Sequence, residues 1–285
     1  MKGNLMVNQI KSSNNKVALI TGASSGMGKE FAKTLLAKGF IVYAVARRTE
    51  LMKDLSNLGA HIFKLDISNE SEIGHLIKQI ETEHDGVDVL INNAGFGIYG
   101  AVEDIPISDA RYQFEVNLFG VAKLTQLVIP LMRKRGGGKI INLSSMGGKI
   151  YFPLGAWYHA TKHALEGWSD CLRLELAQFN INVVIIEPGV IATDFGKVVI
   201  DGIVRRSSNG QYKGMTDAFA RTLAKSYQNN GGTDPRVISD LVLRAIQSSK
   251  PKSRYVAGQM AKPMMFIRKW FGDTIYDKVA LSMVK

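Results

Sequence analysis

Thr21-Gly22-Ala23-Ser24-Ser25-Gly26-Met27-Gly28 is the stretch that decides how this chain folds. The apolar run Val17-Ala18-Leu19-Ile20 precedes it, and Phe31, Ala32, Leu35 and Leu36 follow at helical spacing. That pattern is a strand, a glycine-rich turn and a helix. The first backbone N–H groups of such a helix have no partner inside it, and the helix dipole is positive there. Glycine in the turn lets a pyrophosphate approach the backbone closely. The glycines stand as G-x3-G-x-G, not G-x-G-x-x-G. Taken alone they describe a tight turn as well as they describe a phosphate cradle.

The chain has 285 residues, 46% of them hydrophobic and 21% charged. It carries no long like-charge block, which argues against global disorder. The expected organisation is a polar extension over 1–15, a single catalytic domain over 16–258 and an amphipathic tail over 259–285. Cys171 is the one cysteine. It permits no disulfide within the chain, suits a reducing compartment such as the cytoplasm, and reads as a small buried residue of a helix. The first sixteen residues lack the apolar core of a secretory signal. No run of about 20 apolar residues predicts a membrane-spanning helix. The net charge of +11 points to nucleic acid, an anionic membrane surface or a phosphate-bearing cofactor. No nucleic-acid motif or aromatic–basic cluster supports the first.

Further apolar runs are spaced along the chain with helical patterns between them. They are Phe40 to Ala46, His61 to Leu65, Val87 to Ile91, Lys139 to Leu143, Ile181 to Ile186 and Arg254 to Ala257. Alternation of this kind predicts an α/β, Rossmann-like, doubly wound parallel sheet of about seven strands with helices on both faces. Ligands of such sheets bind beyond the carboxyl ends of the strands. The polar or glycine-containing ends Arg47-Arg48, Asp66, Asn92-Asn93-Ala94-Gly95, Ser144-Ser145 and Glu187-Pro188-Gly189 all fall at that edge.

Residues 193–234 break the rhythm. Their Gly, Ser, Asn and Lys content suggests a substrate loop or lid with one helical patch near Met215 to Leu223, or a disordered surface loop. Pro235 to Gln247 reads as a further helix. In the tail, Ile267, Trp270, Phe271, Ile275, Val279 and Met283 form an apolar stripe. Packing on the domain or a second subunit is the first reading, and an interfacial helix on a membrane is the other.

Tyr158 and Lys162 lie four residues apart on the helix expected from Gly155 to Phe179, so they share a face. A phenol titrates near 10 in water, and an adjacent ammonium favours the phenolate. The pair is a candidate acid/base, with Ser145 thirteen residues before Tyr158 at the end of the preceding strand. His159 and His163 are also four apart, but no third ligand is visible and Lys162 repels a cation, so no metal is expected.

These residues together resemble the short-chain dehydrogenase/reductase family over about Lys16 to Thr193. The likeness rests on T-G-x3-G-x-G at 21–28, Asp66, N-N-A-G at 92–95 and V-N at 116–117. It continues with Ser145, Y-x3-K at 158–162 and P-G-x3-T at 188–193. The resemblance implies a nicotinamide dinucleotide and a set of roles. Tyr158 would be the general acid or base, and Lys162 would lower its pKa and hold the nicotinamide ribose. Ser145 would hold the substrate oxygen, and Asn117 would support a proton relay. Gly22, Ser24, Ser25, Gly26, Met27 and Gly28 would cradle the diphosphate, and Asp66 with Ile67 would meet the adenine. Asn93, Ala94 and Gly95 would line the cofactor, with Pro188, Gly189, Val190 and Thr193 near its carboxamide.

Cofactor choice has its own argument. Sites selective for NAD carry an acid about 20 residues after the turn, which bonds the ribose 2′-hydroxyl. The second strand ends Ala44-Val45-Ala46-Arg47-Arg48, with no acid. A guanidinium fork suits a 2′-phosphate, so NADP(H) is expected, with Arg47 as main reader and Arg48 as second. Phe96, Tyr99, Tyr151, Phe152, Leu154, Trp157 and Phe195 suggest a hydrophobic alcohol or carbonyl substrate. A homo-oligomer, dimer or tetramer, is expected. The rival readings are a dinucleotide-sensing scaffold without turnover and a lipid dehydrogenase that works at a membrane surface.

Overall fold

The computed structural model describes residues 16–227 and 231–285. The polar extension expected over 1–15 lies outside the described residues, as does part of the expected lid, 228–230. Seven strands form one parallel sheet: β1 Val17–Thr21, β2 Ile41–Ala46, β3 His61–Lys64, β4 Val89–Asn92, β5 Gly138–Leu143, β6 Ile181–Pro188 and β7 Arg254–Ala257. Their order is β3-β2-β1-β4-β5-β6-β7. The order reverses between β1 and β4, and a crevice opens at such a switch point beyond the strand ends.

Alternation of side chains along the strands splits the core into two layers. Ala18, Ile20, Val42, Ala44, Ile91, Ile141 and Val184 face α1 (Gly26–Ala37) and α9 (Pro235–Gln247) through Phe31, Leu35, Ile238 and Val242. Val17, Leu19, Tyr43, Val45, Leu90, Ile140 and Val183 face the other way. There they meet α3 (Glu70–His84), α5 (Gly120–Lys134) and α6 (Ala156–Leu176) through Ile73, Leu76, Leu124, Val128 and Leu172. The short α2 (Lys53–Asn57) follows β2, and α4 (Ile107–Phe114) leads through one π-helical turn into α5. The helical run Ile107–Lys134 is long and apolar enough by composition to cross a membrane. Leu124, Val128, Leu131 and Met132 instead bury its apolar face against the sheet.

One polar ladder crosses the second layer. Asn92 Nδ2 donates to Thr125 Oγ1 at 3.1 Å and to Asn142 Oδ1 at 2.8 Å, and Asn142 Nδ2 donates to Ser169 Oγ at 2.8 Å. It locks the carboxyl ends of β4 and β5 to α5 and α6, and so fixes the strand ends that carry the site.

The stretch 193–234 holds more helix than its composition predicts, in α7 (Phe195–Ser207) and α8 (Lys213–Tyr227). Val199, Ile203 and Phe219 bury the inner faces of these helices against Tyr99 and Leu154. Tertiary burial stabilises helices that local propensity would leave marginal. The tail also departs from expectation. It forms α10 (Ala261–Ser282), but Ala261, Met264, Tyr276 and Ala280 are its buried residues. Trp270, Phe271 and Ile275 are exposed. Gly272, at φ 68°, interrupts the helix and breaks the continuous stripe. Cys171 is exposed on α6, not buried, because its side of the helix faces away from the sheet.

Asn142→Ala should test the ladder. It strands the Asn92 amide and the Ser169 hydroxyl in a dry core, at a cost of about 1–3 kcal/mol. Urea unfolding should show that loss at an unchanged denaturant slope, and parent-like stability would show that the ladder carries no weight.

Candidate functional site

The glycine-rich turn is held from across the sheet. Thr21 Oγ1 accepts hydrogen bonds from Asn93 N at 3.0 Å and Ala94 N at 2.9 Å. Asn93 Nδ2 donates to the carbonyls of Thr21 at 3.0 Å and Gly22 at 3.2 Å. Gly22 has φ 68°, and a Cβ at Gly28 would collide with the Gly22 carbonyl and the Asn93 amide. This is a position only glycine can occupy. Ser25 precedes α1 without capping it through its side chain, so Ser24, Ser25, Gly26 and Met27 present backbone N–H groups at the helix start. Thr193 packs over Gly26 from beyond β6, next to Pro188, Gly189 and Val190.

The other expected cofactor residues fall on the same edge. Arg47 and Arg48 are exposed past β2. Arg47 Nη1 donates to the Tyr112 hydroxyl at 3.0 Å, which orients its guanidinium. Asp66 commits one oxygen locally, accepting from Ser68 N at 3.0 Å and Ser68 Oγ at 2.7 Å. Ile67 is buried against Gly120. Gly95 faces Asn117 Oδ1 and Lys162 Nζ.

At the reacting end, Ser145 follows β5, and Tyr158 and Lys162 project from the first turns of α6. Lys162 Nζ donates to the Leu143 carbonyl at 2.7 Å. Asn117 sits in the π-helical turn Glu115–Phe119, a feature that often marks functional positions. Its Nδ2 donates to the Phe96 carbonyl at 2.9 Å and Thr161 Oγ1 at 3.1 Å, and Thr161 Oγ1 donates to the Tyr158 carbonyl at 2.8 Å. Asn117 therefore tethers both the turn after β4 and the backbone of Tyr158.

The electrostatics differ from the expectation that Lys162 draws the Tyr158 phenol down. Burial pushes Tyr158 up to about 12, with the hydrogen bond to Ser145 working against the rise. Burial pushes Lys162 down to about 8, while Glu166 opposes the fall. Desolvation of the phenol sets the sign of its shift, and the Lys162 ammonium donates to the Leu143 carbonyl. Tyr158 thus keeps its proton at neutral pH.

A cavity of about 500 Å³ opens beside these groups, with mainly apolar walls. Phe96, Tyr99, Phe152 and Phe195 line it as expected. Tyr151 instead packs edge-on against Tyr276, and Leu154 is buried in the cluster under α7 and α8. Trp157 is half-buried on α6 outside the lining. Phe219 and Tyr227 of α8, and Met264, Val279 and Met283 of the tail, complete the wall. No sequence motif places these five at the site, although Val279 and Met283 belong to the tail's apolar stripe. They reach the site only because two distant helices fold over it.

His159 has a structural use that its pairing with His163 hides in the sequence. Its Nε2 accepts from Phe152 N at 3.0 Å, so Nδ1 carries the proton and donates to the Gly147 carbonyl at 2.9 Å. Both ring nitrogens are engaged by backbone, which leaves none for a metal. Burial pushes its pKa down to about 4. The neutral ring thereby clamps the two ends of the segment 147–152 that forms one wall of the cavity.

A model of the short chain dehydrogenase family matches residues 16–202. The chain is 34% identical over 266 residues to a probable short-chain type dehydrogenase/reductase, VdlC, of Helicobacter pylori, covering 92% of this chain and 96% of that one. It is 35% identical over 263 residues to a 3-ketodihydrosphingosine reductase of Bacteroides thetaiotaomicron, covering 91% of this chain and 94% of that one. The crystal structure of a short-chain dehydrogenase from Streptomyces avermitilis superposes with a TM-score of 0.80 at 34% identity, covering 95% of this chain and 99% of that one.

The His159 clamp has a pH signature. Its folded value, about 4, lies below the ordinary 6.5, so the unfolded chain takes the proton first as pH falls. The stability it contributes is complete above 6.5 and is lost as pH falls to about 4, by an amount on the order of 3 kcal/mol. In His159→Gln, urea unfolding across this window should show a shallower pH slope than the parent. An unchanged slope would remove the clamp from the account.

Proposed function

The chain belongs to the short-chain dehydrogenase family, and from that membership we propose that it is an NADP(H)-dependent oxidoreductase interconverting a lipophilic secondary alcohol and its carbonyl. Oxidoreductase activity with a nicotinamide dinucleotide follows from the family. The observation that carries the finer reading is the meeting of Ser145, Tyr158 and Lys162 at an apolar cavity that adjoins the glycine-rich turn. The residues present fit a dinucleotide. The turn leaves helix N–H groups for the diphosphate, and Gly28 lets the turn pack against the Asn93 amide so that those groups stay at the strand edge.

A dinucleotide bound along this edge would supply the hydride for the carbonyl carbon. Everything else is work for the chain. The Ser145 hydroxyl holds the carbonyl oxygen beside the Tyr158 hydroxyl. Tyr158, kept protonated by burial, gives its proton to that oxygen as charge develops on it. Lys162, beside Gly95, would hold a ribose hydroxyl of the dinucleotide and return a proton toward Tyr158, with Asn117 tethering the Tyr158 backbone through Thr161. Oxidation runs the same steps in reverse, with Tyr158 as the base. The aromatic and methionine walls exclude water and accept an apolar chain. A relative named for the reduction of 3-ketodihydrosphingosine supports a ketone of that kind.

Arg47 supports NADP(H) over NAD(H). No acid stands at the end of β2, and the guanidinium is exposed and oriented where an adenosine ribose would lie. The single cysteine supports a cytoplasmic setting. Exposed Ile107 and Phe119, on α4 and the π-helical turn after it, support a homo-oligomer.

Tyr158→Phe should lower single-turnover reduction of a carbonyl substrate with NADPH by about 10²–10⁴-fold while leaving NADPH affinity intact. Lys162→Met should lower both turnover and affinity. Parent-rate reduction by Tyr158→Phe would return the chain to the scaffold reading or require another acid.

Fluorescence titration should show tighter binding of NADPH than of NADH. Arg47→Asp should cost NADPH about ten- to a hundredfold in affinity, through the lost fork and the added repulsion. Equal affinities in the parent would overturn the choice of cofactor.

A further inference from the structure

The face of α10 that points away from the domain is unusual for a terminal helix. Phe266 is 56% exposed, Trp270 66%, Phe271 51% and Ile275 45%. The three aromatic rings lie against one another, with centroids 6.3 Å apart for Phe266–Trp270 and 6.1 Å for Phe266–Phe271. They are not a disordered fringe. Tyr276 Oη on the opposite face donates to the Tyr151 carbonyl at 2.9 Å, Tyr151 Oη donates to Asp277 at 2.9 Å, and Arg268 lies over the Tyr151 ring. The helix is therefore anchored with its aromatic cluster held outward.

Basic residues outnumber acids around this cluster. Residues 261–285 contain Lys262, Arg268, Lys269, Lys278 and Lys285 against Asp273 and Asp277. Both acids are engaged within the chain, Asp273 by Arg268 and Asp277 by Tyr151. Lys269 caps the Trp270 ring at 5.2 Å. Beside the cluster runs a groove of about 430 Å³ lined by Lys149, Arg254, Lys262, Arg268 and Lys269; Lys149 and Arg254 pair with Glu166 and Arg268 with Asp273, so Lys262 and Lys269 carry the outward charge. Tryptophan and phenylalanine ringed by lysine and arginine match the layered chemistry of a bilayer interface, which has hydrocarbon inside and anionic phosphate outside. A second copy of this chain carries net charge +11 and would present the same cations to them. The inner side of the same helix supplies Met264, Val279 and Met283 to the wall of the catalytic cavity.

We propose that the outward face of α10, with Phe266, Trp270, Phe271 and Ile275 ringed by Lys262 and Lys269, docks this protein on an anionic bilayer surface. One helix then joins the membrane to the cavity, and a lipophilic substrate enters along it without crossing water. Only that entry route rests on the proposed lipid-carbonyl activity. Docking itself is read without cofactor, substrate or turnover, so the two readings fail separately.

Flotation of the full chain with vesicles tests it. The parent should float with phosphatidylcholine vesicles containing phosphatidylglycerol and remain below with phosphatidylcholine alone. The bound fraction should fall as salt rises. Phe266→Ser combined with Trp270→Ser and Phe271→Ser should weaken binding by about tenfold or more, and should leave reduction of a water-soluble carbonyl unchanged, since none of the three lines the catalytic cavity. Lys262→Gln and Lys269→Gln should each cost about fivefold on anionic vesicles only. The lysine variants read the same face if the aromatic variant fails to fold. A parent that stays below with both vesicle types, or variants that float like the parent, would overturn the proposal. A parent that does not float and is dimeric by light scattering, with an aromatic variant that is monomeric, would assign the face to a second copy instead.

Discussion

The side-chain amide of Asn93 is the contact on which the rest of the site depends. It bonds the carbonyls of Thr21 and Gly22, while Thr21 returns the tie by accepting from the backbone of Asn93 and Ala94. The start of α1 is thereby welded to the end of β4, across the point where the strand order reverses. The weld works only if no side chain intrudes at Gly28. Here the conformational cost of glycine is offset by a close backbone approach that no other residue permits. The glycine-rich turn and a central strand end become one rigid unit.

From that unit rigidity passes to the reacting groups through buried polar contacts. The Asn92–Asn142–Ser169 ladder carries it to β5 and α6, and Asn117 carries it through Thr161 to the backbone of Tyr158. Asn142 and Asn117 use both ends of their amides, and the Asn92 amide nitrogen donates twice, which is how polar groups inside an apolar layer stabilise the fold here. His159 plays the same part for the segment between Gly147 and Phe152. The candidate site is thus a set of strand ends held at fixed separation by buried polar contacts.

Burial sets the character of those two groups. The same desolvation that raises the Tyr158 phenol lowers the Lys162 ammonium, because burial disfavours the charged form of each. A sequence reading based on the ammonium alone gives the opposite sign for Tyr158, because it counts the charge and not the wall of apolar side chains around it. That wall comes from α7, α8 and α10, helices far along the chain from the groups they dehydrate.

The sequence by itself determined the sheet and the edge where the site lies. Strand periodicity, the glycine-rich turn and the Tyr158–Lys162 spacing are local patterns, and local patterns survive in a one-dimensional record. All seven expected strands formed, and Ser145, Asn117, Tyr158 and Lys162 came to one place because their positions follow strand ends and one helix face. Tertiary structure alone decided what surrounds them. The composition of 193–234 concealed two helices whose stability comes from packing on Tyr99 and Leu154. The stripe Ile267 to Met283 reads in sequence as one apolar face, for packing or for a membrane surface, but Gly272 interrupts the helix, and Trp270, Phe271 and Ile275 are exposed while Val279 and Met283 line the cavity. Periodicity says that a helix has an apolar side. Only the fold says what that side meets, since the partners lie far away in sequence.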